Sequence, residues 1–160
     1  MEKFYITLII CLMMIPLIPF SSHFAVGASS PLYTHFIYMF GHASFIHWLC
    51  NAWSLLVLHN VINYHRTIVA WIFSVLASFV LILDRPVLGA SVFVSFFMGM
   101  ITLNMWKHDR ITCILTIAML VASCFLPGFA GIYHIILFLL GMLYYQIERL
   151  IMKFKSYAGK

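Results

Sequence analysis

Ser91, His134, His47 and Asn51 are the residues of this chain whose types and spacing could do chemistry together. A serine hydroxyl and an imidazole brought together in a low-dielectric site make a nucleophile and its base. His47 and Asn51 stand at i and i+4, so on a helix they share one face and can donate hydrogen bonds to a developing oxyanion. Ser91 follows Gly89-Ala90, and a glycine two residues before a serine lets the backbone turn tightly and a neighbour approach closely. The same Gly-Ala-Ser recurs at Gly27-Ala28-Ser29, and only the company each copy keeps in the folded chain separates them.

The elements that must position these residues are helices in a membrane. The chain has 160 residues, is 64% hydrophobic and 8% charged, and cannot hide that much apolar surface inside one small water-soluble domain. It reads as a single domain, 1–160, with six apolar segments at about 4–20, 43–59, 67–83, 91–106, 111–126 and 131–152. Pro16 and Pro19 kink or end the first, which is expected to be a retained helix and not a cleaved signal. A polar loop without lysine or arginine follows, from Ser21 to about Gly41. The formal charge of +5 is spread over loops and the C-terminal tail, which argues against a nucleic-acid-binding block. Cys11, Cys50, Cys113 and Cys124 lie in apolar segments without metal-like spacing and read as packing residues.

With the N-terminus inside, Lys3, Arg66, Lys107, Arg110, Arg149, Lys153, Lys155 and Lys160 all fall on the inner side and Arg85 alone on the outer. That bias is a positive-inside assignment. It places the starts of segments two, four and six at the outer leaflet, so His47, Asn51, Ser91 and His134 share one depth. Segment four, at ~1.5 Å per residue, reaches only ~24 Å of a ~30 Å hydrocarbon core, which submerges its serine end. Ser29 lies in the first external loop with no helix beginning at it and reads as a decoy. Ser91, Ser95 and Gly99 form a small-residue stripe that lets another helix come close, and His134, Phe138 and Gly141 on segment six are its natural partner.

His42 and His47 are five apart, roughly 140° around a helix, so His42 is expected to be a structural hydrogen-bonder that does not join the pair directly. The carboxylates are Glu2, Asp84, Asp109 and Glu148. Glu148 is 14 residues, roughly 21 Å, along the helix from His134, and only Asp84 falls on the outer side, in a loop. A serine-histidine dyad without an acid is the economical reading.

The run His42-Ala43-Ser44-Phe45-Ile46-His47-Trp48-Leu49-Cys50-Asn51 resembles the His-x4-His-x3-Asn signature at the start of the second helix of rhomboid proteases. Gly89-Ala90-Ser91 resembles that family's Gly-x-Ser at the start of its fourth helix, and His134 with Gly141 resembles its sixth-helix motif. In order and spacing the resemblance spans nearly the whole chain. It implies a six-helix bundle and intramembrane serine proteolysis, with Ser91 as nucleophile, His134 as base, and His47, Asn51 and Gly89 around the oxyanion. A transmembrane protein would be the substrate, cut near the outer leaflet of what is expected to be a bacterial inner membrane. The resemblance departs at Val92 and Leu137, where the family carries glycines, and at Ser95, where it tends to carry a large aromatic. A repacked dyad is expected, and the alternative is a catalytically inactive relative that binds transmembrane segments. A haem or metal protein using His47 and His134 is a further alternative; no cofactor or metal is expected.

Overall fold

The computed structural model describes residues 2–81, 86–125 and 130–158, and every regular element among them is a helix. The chain opens with α1 (Glu2–Met13), followed by a 3₁₀ segment, Ile15–His23, bent 50° away from it. Pro16 and Pro19, which lack backbone donors, break the helical ladder there. Next come a one-turn α2 (Thr34–Ile37) and a 3₁₀ turn, Tyr38–Phe40. Then follow α3 (Phe45–Val57), α4 (Tyr64–Val80), α5 (Ser91–Met105), α6 (Arg110–Ser123) and α7 (Gly131–Ala158).

Short polar side chains set three of these starts. Ser44 accepts from the His47 N–H at 3.1 Å, Asn63 from the Arg66 N–H at 2.9 Å and Asp109 from the Thr112 N–H at 3.0 Å. Each satisfies one of the orphan donors of a first turn. The Asn63 cap is why α4 begins at Tyr64 and not near Thr67 as the hydropathy suggested. At the other end of the chain α7 runs six residues past Met152, so the expected basic tail is helical. No glycine or proline stands between Met152 and Ala158, and Arg149 over Tyr145 and Lys153 over Tyr157 are i,i+4 cation–π pairs along it.

Two further expectations change. The stretch 21–41 is not simply a polar loop, because Tyr38 and Met39 within it are wholly buried. Its Val26 also exchanges backbone hydrogen bonds with Val87, at 2.9 and 2.8 Å. As for membrane crossing, α7, with 28 residues, is the one helix among the described residues long and apolar enough to span by itself. The bent pair at the N-terminus makes a second if it counts as one span. Helices α3 to α6 have 13, 17, 15 and 14 residues, which reach only ~20–26 Å. Asp84, Arg85, Pro127, Gly128 and Lys160 lie outside the described residues.

Helix α5 sits at the centre, with Val92, Phe96, Phe97 and Met100 sealed from the surroundings. It runs parallel to α7, and the two approach backbone to backbone where the small-residue stripe was expected. A Cβ at Gly99 would overlap the Phe138 carbonyl, and one at Gly141 would overlap the Phe96 carbonyl. Towards the C-terminal half of α7, Glu148 receives both Nε (3.1 Å) and Nη2 (2.6 Å) of Arg66 from α4, and Asn104 bonds the Tyr145 hydroxyl. The outward faces are apolar: α6 buries only Cys113 and Ser123 and exposes Ile111, Ile114, Leu115 and Met119.

Gly99→Val and Gly141→Val should each destabilise the fold by about 2–3 kcal/mol, since rigid backbone and not a mobile side chain occupies the space. Measured by thermal unfolding in detergent, the double variant should lose less than the sum, because either one already separates the helices. The Asp109 carboxyl, held below its usual range by the Thr112 hydroxyl and N–H, contributes its cap fully above the ordinary carboxylate pKa. That contribution should fade as pH falls through the depressed value. The gap in melting temperature between wild type and Asp109→Ala should therefore be full at neutral pH and close in acid.

Candidate active site

Ser91 is the first residue of α5, and His134 lies in the first turn of α7. Their side chains meet, with Ser91 Oγ 2.8 Å from His134 Nε2, across 43 residues of sequence. With the hydroxyl donating to Nε2, the imidazole carries its own proton on Nδ1 and is placed to take the serine proton. Both residues are half-buried.

No carboxylate among the described side chains bonds this histidine. Glu148 is held by Arg66 far along α7, and Asp109 caps α6. Asp84, the outer-side carboxylate, is outside the described residues.

His47 and Asn51 reach the pair from α3, on the one face that their spacing implied. The Ala43 N–H donates to His47 Nδ1 at 3.3 Å, which leaves Nε2 as the protonated, donating nitrogen. That nitrogen is aimed at the turn before Ser91: a Cβ on Gly89 would lie 2.8 Å from His47 Nε2 and 3.5 Å from Asn51 Nδ2. Gly89 has φ +119°, a conformation that L side chains rarely adopt. Glycine is thus required twice, by the turn and by the imidazole above it. Asn51 is buried, and its Nδ2 has no hydrogen-bond partner. A buried amide donor without an acceptor carries a desolvation cost, and here it faces the residues flanking the serine.

His42 corrects the sequence reading. Because α3 starts only at Phe45, the helical angle between His42 and His47 does not apply. The His42 ring packs edge-on against His47, with ring centroids 5.2 Å apart. It is a structural hydrogen-bonder all the same, since its Nε2 accepts from the Ala90 N–H at 3.4 Å and ties the turn before Ser91 to the entry of α3.

Tyr38 escaped the sequence reading altogether. Its carbonyl accepts from the Gly89 N–H at 2.9 Å, and its hydroxyl donates to the Ser74 carbonyl of α4 at 3.0 Å. Its ring also lies edge-on to Tyr133, the neighbour of His134. The available signal was the apolar run Phe36-Ile37-Tyr38-Met39-Phe40, directly before Gly41-His42. Ser29 is exposed, and no helix begins at it, so the second Gly-Ala-Ser acquires none of these neighbours. Gly141 acts away from the chemistry, at the crossing of α7 with α5. Comparison with protein-family profiles, with curated proteins and with solved structures finds no match to this chain.

Gly89→Ala should push the His47 imidazole away from the turn and strain the turn by about 1–2 kcal/mol. The expected readout is a lower melting temperature together with a changed His47 ring-nitrogen NMR shift, while the Gly27→Ala control leaves both unchanged.

Proposed function

We propose that the chain is a rhomboid-type intramembrane serine protease that cleaves transmembrane segments of other proteins near the outer leaflet. The observation that carries this reading is the 2.8 Å Ser91–His134 hydrogen bond beside the unpartnered Asn51 amide. Supporting the membrane placement are the apolar outward faces of α3 and α6, where Ile46, Trp53, Ile111 and Met119 are each about 70% exposed. A surface of that kind is stable facing lipid. Six spans with both termini inside put Lys3, Arg66 and the charged residues after Met105 on the inner side. With the Met105 end of α5 at the inner interface, Ser91 lies roughly 8 Å beneath the outer edge of the hydrocarbon.

The proposed reaction follows from the donors and acceptors present. Ser91 Oγ attacks the scissile carbonyl carbon while its proton passes to His134 Nε2. The carbonyl oxygen becomes an oxyanion and accepts from Asn51 Nδ2–H and His47 Nε2–H. Collapse of this intermediate breaks the C–N bond, and the proton on His134 passes to the leaving amine. Water then attacks the Ser91 ester, giving its proton to His134, and expulsion of Ser91 restores the hydroxyl. Among the described residues His134 is held by packing between α5 and α7, with no carboxylate bonded to it. Val92 and Leu137 are both sealed from the surroundings.

Purified protein should label with a fluorophosphonate probe and cleave tagged single-span proteins when co-expressed. Labelling should vanish in Ser91→Ala and His134→Ala. Asn51→Ala should keep the nucleophile but lower the cleavage rate by about 10²–10³-fold, the usual loss for one oxyanion donor. Wild-type protein that neither labels nor cleaves would instead leave a non-catalytic relative that binds transmembrane segments.

A further inference from the structure

Helix α1 packs on α3 and on the 3₁₀ segment after it, whereas α4 packs on α5, α7 and α2. Between α1 and α4 lies a cavity of about 550 Å³, floored by Phe93 and Phe97 of α5. Those two phenylalanines are on the opposite side of α5 from Ser91 and Ser95, two positions or roughly 200° around the helix. The cavity is therefore separated from the dyad by the body of α5.

The chemistry of its walls is narrow. Thr7 and Thr67 turn their hydroxyls back onto the carbonyls of Lys3 (2.9 Å) and Asn63 (2.8 Å), which leaves their methyls for the cavity. Trp71 donates its indole N–H to the Phe36 carbonyl at 2.9 Å, and the Cys11 carbonyl accepts from Trp48 Nε1 at 2.8 Å. Every strong donor on the walls is thus already bonded within the protein. Water needs two to four polar partners and finds none here. A helical segment of another protein does not fit either, because a cylinder 10–12 Å across would place only roughly one turn in this volume. A thin hydrocarbon chain does fit: at about the ~30 Å³ that a water molecule occupies in the liquid, on the order of 18 methylenes fill it. Lys3, exposed and one turn before Thr7, stands at the end of the cavity proposed to lie at the inner leaflet, where it complements a phosphate headgroup.

We propose that this cavity holds one acyl chain of an inner-leaflet phospholipid, wedged between α1 and α4, with its phosphate at Lys3. The inference rests on the membrane placement proposed above and not on the chemistry of the dyad.

The test uses the full chain reconstituted in vesicles containing a phosphatidylglycerol with a diazirine near the end of one acyl chain. After irradiation, adducts should be several-fold enriched on residues 7–14 of α1 and 67–71 of α4 relative to Ile114 and Leu115, which face outward on α6. Ile68→Trp, which fills the cavity from α4, should abolish that enrichment. Ile10→Trp does the same from the opposite wall should the first variant fail to insert, and Lys3→Gln should weaken it. Even labelling of α1, α4 and α6, or enrichment that survives filling in protein resistant to carbonate extraction, overturns the acyl-chain site. Extraction of wild-type chain by carbonate overturns the membrane placement instead.

Discussion

The rest of the structure depends on the contact of α5 with α7 at Gly99 and Gly141, where each glycine meets the backbone of the opposite helix. Side chains at these two positions would hold the helices apart, because a carbonyl of the neighbouring backbone stands where each Cβ would go. Ser91 is eight residues before Gly99, and His134 is seven before Gly141. The helices run parallel, so both functional groups sit a little over 10 Å along the axes from the crossing. The 2.8 Å separation of hydroxyl and imidazole follows from that shared register. Among the described residues no carboxylate bonds His134, and helix packing alone holds its ring.

Around this crossing Val92 and Leu137 are wholly buried, and Ser95 is a small residue with 6% exposure. Close-packed interiors of this kind pass any change of side-chain volume on to their neighbours. The Ser91–His134 geometry is set by the backbone approach about two turns away along each helix.

The turn carrying Gly89 and Ala90 is restrained from several directions. Tyr38 and His42 accept its amide hydrogens, and Val26 pairs with Val87 just before it. All three partners belong to the stretch between the first apolar segment and α3, so that connection works as a brace for the start of α5. His47 and Asn51 then close over Gly89 from above. Asn51 Nδ2 and His42 Nδ1 are both buried there without a hydrogen-bond partner, and each carries a desolvation cost.

What the sequence determined by itself was chiefly local and periodic. The i,i+4 pair His47–Asn51 and the small-residue stripe Ser91, Ser95 and Gly99 of α5 follow from spacing and hydropathy, which act within a few residues. The helical class and the proline bend at Pro16 were legible for the same reason. Tertiary structure alone decided what depends on contacts far apart in the chain. The burial of Tyr38, the bond from Ala90 to His42 and the cavity between α1 and α4 arise from elements 30 to 60 residues apart. Helix ends moved where a single cap outweighed the apolar run, as at Asn63. Residues without a strong pattern of their own take their place from their neighbours, and those neighbours exist only once α5 and α7 have met.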